Sequence, residues 1–292
     1  MEYEISLAIL AANAVILALS LNLITGYCGQ ISLGHAAFYG MGAYGAALLT
    51  TSGLPFFLAL PLGGVLAGIL GVIVGLASLR VRDDFLAITT MGVNFLFIGI
   101  VRQQDWLGGE MGIFGIPDPG LGRLGFLALV VALAVAVILL SLYVKRSWMG
   151  FAFDAIADDE DTSRMVGTDV ARYKLAAFAM GTAIAGVAGG IYAHEIKYIG
   201  PDSFGFTESI TVLSIVVIGG IGSVPGVVVA ALVLTLLPQW LQFIAEFKLL
   251  FYGGLLFLAM RFSPDGLAGL VKRLLGRGRH DKRQILAKEG RT

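Results

Sequence analysis

Run after run of this chain is apolar for the length of a membrane crossing and free of charge through its middle. No other property limits its fold so tightly. A hydrocarbon core of about 30 Å needs about 20 apolar residues per helix, and lipid-facing irregular backbone is excluded because its N–H and C=O groups would find no partner. On that ruler spans fall near 5–24, 34–51, 56–79, 85–102, 124–144, 173–193, 207–221, 223–243 and 247–262. The short, Gly-rich runs leave the count at about nine, within a range of eight to ten. Composition points the same way, with 57% apolar and 14% charged residues, against roughly 25% charged in ordinary soluble domains. The expected fold is all-α, a polytopic transmembrane bundle with Gly-broken helices.

The sequence opens on MEYEIS, which is acidic where a signal peptide carries a basic region, so the first apolar run reads as a retained helix. A single cysteine, Cys28, leaves neither a disulfide framework nor a cysteine-based metal site. Basic residues are unevenly shared between the two sides. One side receives Arg80, Arg82, Lys145, Arg146, Arg164, Arg172, Lys174 and nine more from Arg261 to Arg291. The other receives Arg102, Arg123, Lys197 and Lys248. Because Lys and Arg near span ends favour the cytoplasm, the segment 150–174 and the tail are expected inside. The loops WLGGEMGIFGIP and YIGPDSFGF, and the N-terminus, are then expected outside. The division is a membrane domain over 1–265 and a basic cytoplasmic tail over 266–292, which reads as a frayed or surface helix near anionic headgroups rather than a nucleic-acid arm.

Two Gly-rich interruptions stand out, GYCGQISLGHAAFYG from Gly26 to Gly40 and VVIGGIGSVPG from Val216 to Gly226. Each sets glycines around a serine, Ser32 or Ser223, and leads into a helix of small residues. They suggest an internal pseudo-repeat of the kind that places matched broken helices beside a substrate path. Broken backbone at membrane depth has to line a polar cavity or be buried in protein. Gly29, Gln30, Ser32, Gly34 and His35 are therefore candidate pathway residues, where a helix start offers free N–H groups to an anionic group. Gly220, Gly222 and Ser223 are their counterparts at the second break. The plainer reading is that Gly26, Gly29 and Gly34 permit a tight turn, that Gly40, Gly42 and Gly45 allow close helix approach, and that His35 is a hydrogen-bonded structural histidine.

The central portions of the spans hold no Asp, Glu, Lys or Arg, and Asn22 and Asn94 are the notable amides. Ion-coupled carriers place a carboxylate or comparable ion site near the midplane, so a self-sufficient carrier is disfavoured. A GxxxxGK[ST] phosphate loop is also absent from the sequence. Energy is expected from a nucleotide-binding partner, and the polar segment 150–170 is where force would enter. Within it Ala152, Ala155, Ile156 and Ser163 fall near helical spacing beside Asp158, Asp159, Glu160 and Asp161, which suggests an amphipathic docking helix. The bland alternative is a solvated cytoplasmic loop. His194 and Glu195 lie at a span end with no evident third catalytic partner, so no catalytic or metal-binding residue is assigned.

LNLITGYCGQISLGHAAFYGMGAYGAALL, WLGGEMGIFGIP, GFAFDAIADDEDTSRMVGTDVARYKLAAFAMGTAIAGVAGGIYA and SITVLSIVVIGGIGSVPG occur in that order. With them the chain resembles, from about Leu21 to Asp265, the integral membrane permeases of bacterial branched-chain amino-acid ABC importers, the LivM and LivH type. The resemblance implies a multi-pass subunit of the bacterial inner membrane working with a second, LivH-type permease, two cytoplasmic ATPases and an extracytoplasmic solute-binding protein. ATP and magnesium would sit on the ATPases, with no cofactor in this chain. Ala155 to Gly167 would lie in an ATPase groove, with Ile156, Asp158 and Arg164 in the segment, Asp159 and Glu160 at the usual acidic position, and Gly167 ending the helix. The chain departs from the family pattern at Phe151 and Ala157, where basic residues are usual, and at Thr162 and Ser163, where alanines are. An ABC permease for urea, short amides or another small carboxylate would carry nearly the same motifs. A stand-alone carrier or channel is the rival of a different class.

Overall fold

The computed structural model describes residues 2–79 and 83–240, together with positions 250, 253–255, 257, 261, 266 and 269. Eight of the nine expected spans coincide with a helix among the described residues. These are α1 (Glu2–Leu21), α2 (His35–Thr51), α3 (Phe56–Ser78), α4 (Asp83–Gln103), α5 (Gly122–Arg146), α8 (Val170–Ile196), α9 (Phe206–Gly219) and α10 (Val224–Trp240). Between α5 and α8 lie two short polar helices, α6 (Trp148–Asp158) and α7 (Glu160–Met165). Most of the ninth expected span and nearly all of the 266–292 tail lie outside the described residues.

Nine crossings are not established. Among the described residues six helical segments are long and apolar enough to cross a membrane: Glu2–Tyr27, Phe56–Ala77, Phe85–Gln103, Gly122–Arg146, Val170–Ile196 and Pro201–Gly219. The shortfall has a physical cause in the glycine breaks. α2, 17 residues long, begins at an interior break and reaches about 26 Å at 1.5 Å per residue, short of a full span, and α10 is described over 17 residues that follow the second break.

Opposite ends of the bundle carry different chemistry. At one end β1 (Ile113–Phe114) pairs antiparallel with β2 (Tyr198–Ile199), and the Phe114 and Tyr198 rings lie 4.6 Å apart. Arg102 pairs with Asp202 at 2.6 Å, Lys197 with Asp118 at 2.9 Å, and Arg123 with Glu195 at 2.8 Å. Ser6 of α1 donates to Glu195 at 2.7 Å, so the N-terminal end shares this face. Lys145, Arg146 and the α6–α7 segment occupy the other end, as the connectivity of α5 and α8 requires. The structure thus groups the loops as the basic residues do.

The core of the bundle is a seam of small residues where α2, α3 and α8 meet. A Cβ on Gly42 would lie 2.1 Å from the carbonyl oxygen of Gly186, and one on Gly189 would lie 1.9 Å from that of Tyr39. Backbones that close leave room for hydrogen only, which is how helices gain packing contact where lipid offers no hydrophobic drive. Tyr39, Tyr44, Phe97 and Phe204 stack edge-to-face beside the seam.

Candidate site at the two helix breaks

α1 does not end as an α-helix. Asn22–Tyr27 widens into a π-helical turn, a distortion that often marks functional sites. The chain then turns back through residues 28–34 and starts α2 beside Ser20 of α1 and Thr90 of α4, whose hydroxyl accepts from the Leu33 N–H at 3.0 Å. At 1.5 Å per residue, Ser20 lies about 10 Å short of Tyr27 and Thr90 about 10 Å beyond Asp83. α2 therefore begins inside the depth that lipid covers.

Polar atoms gather at this start. His35 Nε2 is 2.7 Å from Ser20 Oγ, the Ala36 N–H donates to Ser209 Oγ of α9 at 3.0 Å, and Thr25 Oγ1 donates to the Gln30 carbonyl at 2.9 Å. Gly34 presses against the Thr90 backbone. Both side-chain ends of Gln30, the Ser32 hydroxyl, Nδ1 of His35 and Oδ1 of Asn94 are fully buried without a partner. Asn94 stands one turn beyond Thr90 on α4 and spends its Nδ2 on the Phe204 carbonyl. A buried unpartnered polar group costs about 1–3 kcal/mol, so five such atoms mark a place built for something more than packing.

The second break meets the first. Gly222 donates its N–H to Asn22 Oδ1 at 2.9 Å, and a Cβ on Gly26 would lie 2.7 Å from the Gly222 nitrogen. Gly220 and Gly222 have φ of 105° and 75°, conformations open to glycine. Ser223 acts locally, its hydroxyl accepting from the Gly226 N–H at 3.4 Å and so capping α10. Of the pathway candidates, Gln30, Ser32, Gly34 and His35 thus lie at the start of α2, Gly222 meets the π-helical turn instead, Gly220 caps the end of α9, and Ser223 serves the start of α10. Gly29 is set apart from them and faces α6, where its added Cβ would lie 3.1 Å from Ala157. Asn94, Thr90 and Ser209 complete the cluster; of these the sequence singled out Asn94 alone, as an amide inside an apolar run.

The 150–170 segment is two helices where one was expected. Asp159 breaks the helix with extended backbone and N-caps α7, accepting from the Thr162 N–H at 2.9 Å. That amide bond holds its carboxyl below the usual range, while burial pushes the Asp154 carboxyl up. The apolar positions of the segment divide between two faces. Phe153, Ile156 and Ser163 are buried, whereas Ala155 is exposed and Ala152 half-buried, because Phe153 takes the inward position against Tyr173. Glu160 pairs with Arg164 and, at 2.6 Å, with the buried Lys174, so it holds α7 to α8. Asp158 and Arg164 are exposed, and Gly167 follows α7 with φ of 90°. Trp148, Phe151, Ala155 and Asp158 lie at helical spacing on the open face of α6, and Met165 and Val166 stand 87% and 76% exposed after them. Sequence reasoning missed these exposed apolar residues, whose signal was an aromatic pair in a polar segment.

Residues 4–260 match the family model described as "Branched-chain amino acid transport system / permease component". The chain is 34% identical over 299 residues to the high-affinity branched-chain amino acid transport system permease protein LivM of Escherichia coli, covering 92% of this chain and 70% of that one. It is 25% identical over 280 residues to BraD of Pseudomonas aeruginosa, a permease protein of a system of the same description, covering 87% and 91%. To LivH of Escherichia coli it is 30% identical over 139 residues, 46% of this chain and 44% of that one. No solved structure matches the chain significantly. A multi-pass helical bundle with its polar atoms gathered at two glycine breaks, matched across nearly its whole length, belongs to the family of permease components of branched-chain amino acid transport systems.

Proposed function

We propose that this chain is the membrane-spanning subunit of a bacterial inner-membrane importer that moves leucine, isoleucine and valine, delivered by an extracytoplasmic solute-binding protein. It works beside a second permease of the LivH type, and two cytoplasmic ATPases hold the ATP and magnesium. The chain itself makes and breaks no covalent bond. The observation that carries the reading is the set of unpartnered polar atoms on Gln30, Ser32, His35 and Asn94 around the start of α2. Amide, hydroxyl and imidazole groups without a formal charge suit a zwitterion, because they can meet both its carboxylate and its ammonium without binding either tightly.

The ribbon end is the outer face, where Trp106, Met111 and Phe114 stand exposed for the binding protein. The open face of α6 and the residues after α7 form the ATPase contact, with Asp158, Asp159 and Arg164 setting its charge and Gly167 its end. ATP binds the closed and open ATPase pair with different affinity, and that difference shifts the equilibrium between inward- and outward-facing permease. Ala157 packs on Gly29, so a displaced α6 bears directly on the first break.

Reconstitution tests this. Vesicles holding both permeases, the ATPases and the binding protein should accumulate labelled leucine only with ATP. Deleting residues 158–161 should leave insertion intact and abolish uptake. Accumulation by this chain alone would overturn the reading, and uptake of urea in place of leucine would assign it to the related permeases for small amides.

A further inference from the structure

The turn over residues 220–223 joins α9 to α10 beside the last turn of α5. Gly220 and Ser223 bond locally, whereas both backbone groups of Gly222 find partners elsewhere in the fold. The Gly222 N–H is taken by Asn22 of the π-helical turn, and the Gly222 carbonyl by the ammonium of Lys145 in the last turn of α5. Lys145 also stands 5.5 Å over the ring of Tyr27, and the Tyr27 hydroxyl lies 2.9 Å from Ser141 Oγ of α5. One helical turn of α5 thus grips the end of the first break and the peptide of the second. Lys145 precedes α6 by only three residues, with Ser147 capping that helix.

We propose that Asn22 and Lys145 are positioning residues that latch the second break onto the first and so close the cytoplasmic end of the path, and that movement of α6 releases the latch through α5. The inference rests on the transport reading above and adds to it the site of the inner closure. Two hydrogen bonds to a single glycine residue are few enough for a domain motion to break, and one of them is from a charged group, the stronger kind. Gly26 lies under the same latch, since its Cβ would meet Asn22 Oδ1 at 2.1 Å.

Cys28, the one cysteine in the sequence, is 2% exposed beside Tyr27 and reports on the closure. In the complete reconstituted complex without nucleotide, a maleimide should alkylate the Cys28 peptide slowly, as read by mass spectrometry. Lys145→Met, Asn22→Ala and Gly26→Ala should each raise that rate about tenfold, the change that loss of one such bond makes in an opening equilibrium, and should lower the leucine carried per ATP hydrolysed. Lys145→Arg, which keeps a donor, should behave as wild type. Wild-type alkylation and coupling in folded Lys145→Met would overturn the latch while leaving the transport reading standing. Absence of ATP-driven uptake by the wild-type complex would instead remove the reading beneath it. Should Asn22→Ala or Gly26→Ala lower the melting temperature enough to confuse the rate, the Lys145 pair, at the bundle end, decides alone.

Discussion

At the scale of single residues, the seam between α2, α3 and α8 separates glycines that hold helices together from glycines that only fill a position. Gly189→Ala forces a methyl onto the Tyr39 carbonyl and should cost about 1–3 kcal/mol, as overpacking does. Gly92→Ala on α4, with nothing within 4 Å of the added carbon, should be neutral or stabilising by up to about 1 kcal/mol. Thermal melts of the purified protein in detergent check the pair, and equal shifts would deny the seam its role. Asp118 offers a second test. Its hydrogen bond from Lys197 holds the carboxyl below the usual range, so the folded state binds the proton less well than the unfolded one. The pair therefore stabilises above the unfolded value, near 3.9, and the gain disappears as pH falls through the folded value. Both side chains are more than half exposed, which limits the effect to about 1 kcal/mol or less. Lys197→Met should raise the Asp118 titration measured by infrared difference spectra and narrow the stability gap between neutral and acid pH.

Elements carry the coupling. Phe151 and Met165 face outward on α6 and α7 while Phe153 faces in. Phe151→Glu or Met165→Glu should abolish co-purification with the ATPases without changing insertion or melting temperature. Phe153→Ala should do the reverse and cost about 3–5 kcal/mol through the cavity it leaves. Retained co-purification in both Glu variants would move the contact elsewhere. The sequence announced a polar segment here and named its acidic residues. It could not show that Asp159 would interrupt the helix, because an Asp is as good an N-cap as a solvated charge and periodicity alone does not choose. Nor could it show how the apolar positions divide: Phe153 and Ile156, three apart, turn inward, and Ala155, two residues from Phe153, falls on the opposite, open face. Glu160 shows the limit most plainly, since its partner Lys174 belongs to the next helix.

For the whole molecule, the length of the apolar runs located eight helices to within a few residues, and the basic residues sorted the loops into two groups that the ion pairs and the ribbon reproduce. Charge bias makes a further prediction about which group faces in. With Cys28 replaced by Ser, a cysteine at Phe114 should react with an impermeant maleimide on intact cells, and one at Trp148 only after the membrane is opened. The opposite pattern would invert the topology and with it the assignment of the ATPase face. What the sequence left unresolved is long-range: that two short glycine motifs some 200 residues apart would touch through Asn22 and Gly222 is a property of the packed bundle, since nothing local encodes it. The late start of α2 also changes the insulation of the cell. Around it, glycine-rich backbone stands in for part of the oily slab. Resistance to leakage then depends on how tightly two glycine turns fit, and a shift of a few ångströms would be enough to let water through.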